Sequence, residues 1–314
     1  MKIHQAHDKL FKETFSDVEV ARGFLQHYLP PTSLKFIDVM SLKMLNDSFI
    51  EEQLLDSRSD LLYEATINGE KAYVYFLFEH KSYPTKDIAL QLLGYMVEIW
   101  KREFDKKKTD VLPLVMPLVI YHGKFLWSEP KQLRDWFINY DELSEEMTKY
   151  VPDFEFTLYD FSYANELNVK GEPKLRAYLQ LMQHIFLKDW AKLIQVIVEI
   201  ETLLLSRGYE KYFNTIILYI LRSQENVPVD AIQRELTEEG RKRFMTTAEE
   251  LIRKGEIRGK AEGMAEGKME GKMERDFEIV RNALQMNMDK KQIVQLTGLS
   301  LDEIEKIERK IEDN

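Results

Sequence analysis

The chain has 314 residues, a formal charge of −10 and no cysteine. Disulfide frameworks and thiolate zinc sites are thereby excluded, and a generally basic nucleic-acid-binding coat is disfavoured. With 44% hydrophobic and 11% aromatic residues there is ample material for a folded core, and a local basic groove stays open because phosphate affinity depends on the charges near the backbone.

The N-terminus "MKIHQAHDKLFKETF" lacks the apolar segment of a signal peptide. The longest apolar run, "VLPLVMPLVIY", carries two prolines and is too short to cross a bilayer, so the chain reads as soluble and cytoplasmic, without a membrane partner. Helical spacing of Leu10, Phe11, Phe15, Val18, Phe24 and Leu25 predicts one helix over His4 to Leu29, ended by Pro30-Pro31. Residues 34–45 read as extended and 47–55 as a short acidic insertion. Leu61 to Ile67 and Ala72 to Phe78 are strand-like, with Asn68-Gly69 between them as a two-residue hairpin turn. A long helix follows over 85–106, then a strand over 111–121 stopped by His122-Gly123. Residues 130–149 read as helical, "DFEFTLYDF" as a strand, and almost everything after Glu172 as helix.

The final third changes character. Gly255, Gly259, Gly263, Gly267 and Gly271 recur every four residues among charged side chains. Such a stripe permits close helix–helix approach, yet each glycine costs about 1 kcal/mol of helix propensity. A partnered helix and a flexible charged linker are equal alternatives here. "IVQLTGLSLDEI" has the glycine-containing turn of a helix-turn-helix unit, but the second helix is acidic, which favours packing or protein contact over DNA reading.

"YVYFLFEHKSYP" raises the functional question, because an apolar strand ends on three ionisable residues. With a two-residue turn, Ile67 pairs with Glu70 and Asp60 lies opposite Leu77. Alternation then puts Asp60, Glu79 and Lys81 on one face, with Asp60 and Glu79 close enough diagonally to reach one cation. A one-residue shift in the turn would move Asp60 to the wrong face. Mg²⁺ suits two such carboxylates, and Lys81 could orient a water or stabilise charge on a phosphate. The His80 side chain faces the other way, although its backbone carbonyl could face the metal. The plainer alternative is a set of solvated charges or a simple ion pair. On the next helix, Gln91 and Tyr95 share a face. His7 and His122 read as structural hydrogen-bonding residues ahead of cleft residues. The four tryptophans read as packing residues, and Lys101, Arg102, Lys106, Lys107 and Lys108 as a solvated helix end or a phosphate contact.

Asp60, then Glu79-His80-Lys81, then Gln91-x-x-x-Tyr95 resembles the PD-(D/E)XK nuclease superfamily. "HDKLFKETF", "SRSDLLYEA", "FLFEHKS", "QLLGYMVEIW" and "LPLVMPLVIYHG", in that order over residues 4–220, resemble the recombination-promoting nuclease (Rpn) family of transposase-like proteins. Ser59 stands where the superfamily motif has proline. The resemblance implies an α/β fold, with a mixed sheet flanked by helices, followed by a mostly helical C-terminal region. It also implies Mg²⁺-dependent cleavage of DNA, with Mn²⁺ as a substitute. Asp60 and Glu79, with the His80 carbonyl, would hold the metal. Lys81 would assist catalysis, Gln91 and Tyr95 would support the site or touch DNA, and Asp8 or Glu13 would supply an acid from the first helix. We divide the chain into a nuclease-like core (1–165), a helical extension (166–250), a glycine-periodic helix or linker (251–276) and a helix-turn-helix-like tail (277–314). The competing expectation is a catalytically weak or inactive nuclease-fold scaffold that binds DNA or protein and oligomerises through its helical C-terminus.

Overall fold

The computed structural model describes residues 3–45, 61–79, 87–107, 111–123, 125–162, 165, 168–187 and 189–312. The acidic stretch 47–55 lies outside these residues. Two compact units are formed, Met1–Thr247 and Ala248–Asn314.

The first unit is built on a five-stranded mixed sheet in the order β1-β2-β3-β4-β5. β1 (Ile37–Met44), β2 (Leu61–Ile67) and β3 (Glu70–Glu79) form an antiparallel meander. β4 (Leu114–Tyr121) and β5 (Thr157–Asp160) add parallel strands beyond β3. The β2–β3 turn is Asn68-Gly69, both with positive φ (55° and 85°), the backbone that a tight type I′ hairpin demands and that Asn-Gly tolerates. The register follows: Ile67 pairs with Glu70, and the pairing runs unbroken to Leu61 with Phe76. β1 is less regular. Its register shifts between Asp38 and Lys43, where the Ser41 hydroxyl accepts from the Thr66 amide (2.8 Å) and Arg22 donates to the carbonyls of Val39, Met40 and Leu42.

Alternation along the strands separates two cores. Leu61, Tyr63, Ala65, Val74, Leu118 and Ile120 face one way, into a large cluster with α1 (Ile3–Phe15), α2 (Val18–Tyr28), α6 (Pro173–His184), α7 (Trp190–Leu205) and α8 (Glu210–Ser223). Leu62, Tyr73, Val115 and Val119 face the other way, against α4 (Ile88–Lys107). The extension beyond residue 166 therefore shares one continuous core with α1 and the sheet. α3 (Pro31–Leu34), α5 (Glu145–Thr148) and α9 (Val229–Glu235) are short connecting helices.

Two elements differ from the sequence expectation. The single helix over His4 to Leu29 is two helices, because Asp17 leaves helical geometry and caps α2 by accepting from the Glu19 amide. Residues 130–149 hold only two 3₁₀ turns, Leu133–Trp136 and Tyr140–Glu142, and α5. Phe137, Ile138 and Met147 are exposed, so no apolar stripe supports a long helix. The segment is tied instead to the approach to β5, with the Leu133 amide donating to the Phe154 carbonyl and the Arg134 amide to Asp153.

α10 (Glu238–Gln285) is a helix of 48 residues that takes in all five periodic glycines. In the second unit, its later turns pack with α11 (Lys290–Thr297) and α12 (Leu301–Glu312) around Val280, Ala283, Ile293 and Ile304. Asp289 and Gln292 form a capping box on α11, and Gly298 ends that helix at φ 72°.

Candidate active site at the carboxyl ends of the parallel strands

β3, β4 and β5 end in one row, with Glu79 beside Tyr121 and Tyr121 beside Asp160. In open α/β sheets the carboxyl ends of parallel strands are where loops gather functional groups. The opposite end of the sheet, near the hairpin, opens into a cleft of about 1130 Å³ lined by Phe36, Ile67, Asn68 and Leu114, away from the predicted motif.

Asp60, His80 and Lys81 lie outside the described residues. Glu79 is the last residue of β3, and the β2–β3 register is described up to Leu61 with Phe76, one step short of Asp60. Position 79 has the parity of Tyr73, the side of the sheet that α4 covers. On α4, Tyr95 is buried and the Gln91 amide donates to its hydroxyl at 2.8 Å, one helical turn apart. Nearby, Asp160 locks two loops: its carboxylate accepts from the Trp127 amide (2.9 Å) and the Ser162 amide (2.8 Å). The Tyr121 hydroxyl donates to the Phe125 carbonyl at 2.9 Å, and the Tyr121 and Trp127 rings meet edge to face.

The other side of the same strand ends is closed by a buried polar group. His122, next after Tyr121, is fully buried, and its ring lies 5.1 Å from that of His7 on α1. The His7 Nδ1 and the Tyr219 hydroxyl on α8 are hydrogen-bonded at 2.6 Å. Phe186 packs on both imidazoles. Burial pushes the Tyr219 phenol far above its ordinary pKa, so it keeps its proton. Asp8 follows His7 directly and is half-buried, close enough to Tyr178 to help raise that phenol, after the larger effect of burial. Glu13 is exposed and lies five residues farther along α1, beside Tyr212. The two first-helix candidates are thus in different surroundings, Asp8 near Tyr178 and Glu13 near Tyr212.

Among the described residues, no three His, Asp or Glu side chains converge as a metal cage. In the basic cluster on α4, Lys101 pairs with Glu98 at 2.8 Å. Tyr219, Phe186 and Asp160 were not singled out from the sequence. A faint signal existed for the first, since Tyr212 and Tyr219 stand seven apart on α8 just as His7 and Thr14 do on α1.

Residues 5–211 match the family described as "Putative transposase, YhgA-like". The chain belongs to that family. It is 29% identical over 204 residues to the recombination-promoting nuclease RpnC of Escherichia coli (strain K12), an alignment covering 65% of each chain. Recombination-promoting nuclease RpnA of the same strain is 27% identical over 95% of both chains. A further relative at 29% identity, covering 79% of this chain and 82% of its own length, is named an inactive recombination-promoting nuclease-like protein, RpnE. No solved structure gives a significant match. No described helix is long and apolar enough to cross a membrane.

Proposed function

We propose that this chain is a Mg²⁺-dependent DNA endonuclease that hydrolyses phosphodiester bonds in recombination or transposition-like reactions. The observation that carries the reading is the two-residue hairpin register. Continued one step past Leu61, that register would put Asp60 and Glu79 on one face at the end of β3, the side of the sheet that α4 with its Gln91–Tyr95 pair covers. The family and the names of RpnC and RpnA support nuclease action in recombination or transposition-like reactions.

In this reading Asp60 and Glu79, with the His80 carbonyl, would hold the ion, and Asp8 would be the first-helix acid. Hard carboxylate and carbonyl oxygens are the donors Mg²⁺ prefers, and Mn²⁺ is accepted by the same set. Bound there, the ion supplies a Lewis acid for a phosphoryl oxygen and lowers the pKa of a water. Lys81 would orient an attacking water or stabilise charge developing on the phosphate. Gln91, fixed by its bond to Tyr95, presents an amide to the site or to the DNA backbone. The lack of cysteine agrees with a cytoplasmic setting. The test is nicking of supercoiled plasmid: Asp60→Ala is expected to abolish it with the fold intact, and unchanged cleavage by that variant would overturn the assignment.

A second reading is favoured by the inactive-named relative at the same identity and by the charge of −10. The chain would then be a nuclease-fold scaffold that binds without cutting. In either reading we propose self-association through α10. Residues 252–275 that are described are all exposed, including Ile252, Ile257, Met264, Met269 and Met273, and nothing lies within 4 Å of a Cβ placed on any of the five glycines.

A further inference from the structure

α1 and α8 are antiparallel partners with matched polar rungs. His7 meets Tyr219 at 2.6 Å, and Thr14 meets Tyr212 at 2.5 Å. Each pair of rungs is seven residues apart on both helices, which is two helical turns and returns to nearly the same face. Thr14 already donates its hydroxyl proton to the Leu10 carbonyl at 2.7 Å, so the Tyr212 hydroxyl donates to Thr14 Oγ1. All four residues are buried. A third tyrosine acts from the sheet: the Tyr63 hydroxyl on β2 donates to the Phe15 carbonyl at the end of α1. Sliding α1 along its axis by one residue, about 1.5 Å, or turning it, would break all three bonds inside a low-dielectric core.

The rung nearest the strand ends is His7–Tyr219. His7 also meets the His122 ring, and His122 follows the Tyr121 position that pairs with Glu79. The next residue on α1 is Asp8. We propose that Tyr219 and His7, through their buried hydrogen bond, are positioning residues that set α1, and with it Asp8, against the carboxyl ends of β3 and β4. The helical extension would then be part of the catalytic apparatus, because Tyr219 and Phe186 both come from it. This inference rests on the nuclease reading.

The experiment uses the full chain carrying Tyr219→Phe, His7→Leu or His7→Asn. The amide of Asn reproduces the Nδ1 position as a partner for Tyr219, whereas Leu does not. Three quantities are measured: nicking kcat and KM for plasmid, Mn²⁺ affinity by electron paramagnetic resonance without DNA, and stability in urea. Tyr219→Phe and His7→Leu are expected to lower kcat and weaken Mn²⁺ binding by about tenfold or more, as loss of an outer-layer partner does, with KM for DNA unchanged. His7→Asn is expected to restore most of both. If Tyr219→Phe changes urea stability alone, leaving kcat and Mn²⁺ affinity at the level of an active wild-type chain, the bond is packing only and the inference fails by itself. A wild-type chain that neither nicks DNA nor binds Mn²⁺ overturns the nuclease reading and this assignment with it.

Discussion

Tyr63 shows how a single hydroxyl can hold an element in place. It is fully buried on β2, and its bond goes to a carbonyl in the last turn of α1, where no intrahelical donor remains. Tyr63→Phe is expected to cost about 1–3 kcal/mol, the penalty of stranding a buried acceptor, read as a lower urea midpoint at unchanged slope. The hairpin register was legible from Asn68-Gly69 taken as a two-residue turn, because positive φ at both positions suits that dipeptide and the turn length decides between the two registers the sequence left open. The Gln91–Tyr95 pair was legible for a similar local reason, a spacing of one helical turn. His7 was legible as a structural hydrogen-bonding residue, but its partner was not. Its partner Tyr219 is 212 residues away, and no local pattern reports a contact that only the packing of α8 on α1 creates.

At the scale of elements, what escaped the sequence was the boundary within the first helical stretch and the identity of 130–149, which is 3₁₀ turns and one short helix rather than a long helix. Apolar spacing ran on through Ser16-Asp17, and only the cap formed by Asp17 divides α1 from α2. The start of α10 has a similar hidden device. Thr237 caps it by accepting from the Gly240 amide at 3.1 Å, while buried Glu201 on α7 accepts from the Thr237 amide at 3.1 Å and from its hydroxyl. A Cβ on Gly240 would collide with the Glu201 carboxylate. Gly240→Ala, which ordinarily strengthens a helix, is therefore expected to destabilise the chain by about 1–3 kcal/mol through overpacking. The five periodic glycines are predicted to behave in the opposite way. Replacing Gly255, Gly259, Gly263, Gly267 and Gly271 with Ala is expected to raise helicity in circular dichroism, by about 1 kcal/mol of propensity per site. If the stripe is a self-association face, the same variant sediments as a smaller species than wild type. A mass that does not change would remove α10 from the account of assembly.

Across the whole molecule, the sheet, the helices on its two faces and the helical C-terminal region follow the architecture the motif blocks implied, and the larger of the first unit's two cores joins both ends of that unit's sequence. That core encloses many phenols. Burial raises the pKa of Tyr63, Tyr159, Tyr178, Tyr212 and Tyr219 above the ordinary value of 10.0. Below that value both folded and unfolded states keep these protons, so stability is unaffected by them. Above it the unfolded chain releases protons that the folded chain retains, and stability falls by about 1.4 kcal/mol per pH unit for each such tyrosine until its folded pKa is reached. The urea midpoint is expected to be flat with respect to these groups below about pH 9 and to fall steeply from pH 10 to 11, less steeply in Tyr159→Phe.

The central claim is that the end of β3 is a metal-dependent nuclease site, and plasmid cleavage tests it most directly. Purified full-length protein is incubated with supercoiled DNA, with Mg²⁺, with Mn²⁺ and without metal, beside Asp60→Ala and Lys81→Ala. The account predicts metal-dependent nicking by the wild-type chain that both substitutions abolish while the folded signal in circular dichroism is retained. Cleavage that survives both substitutions, or no cleavage by the wild-type chain with either metal, would contradict it.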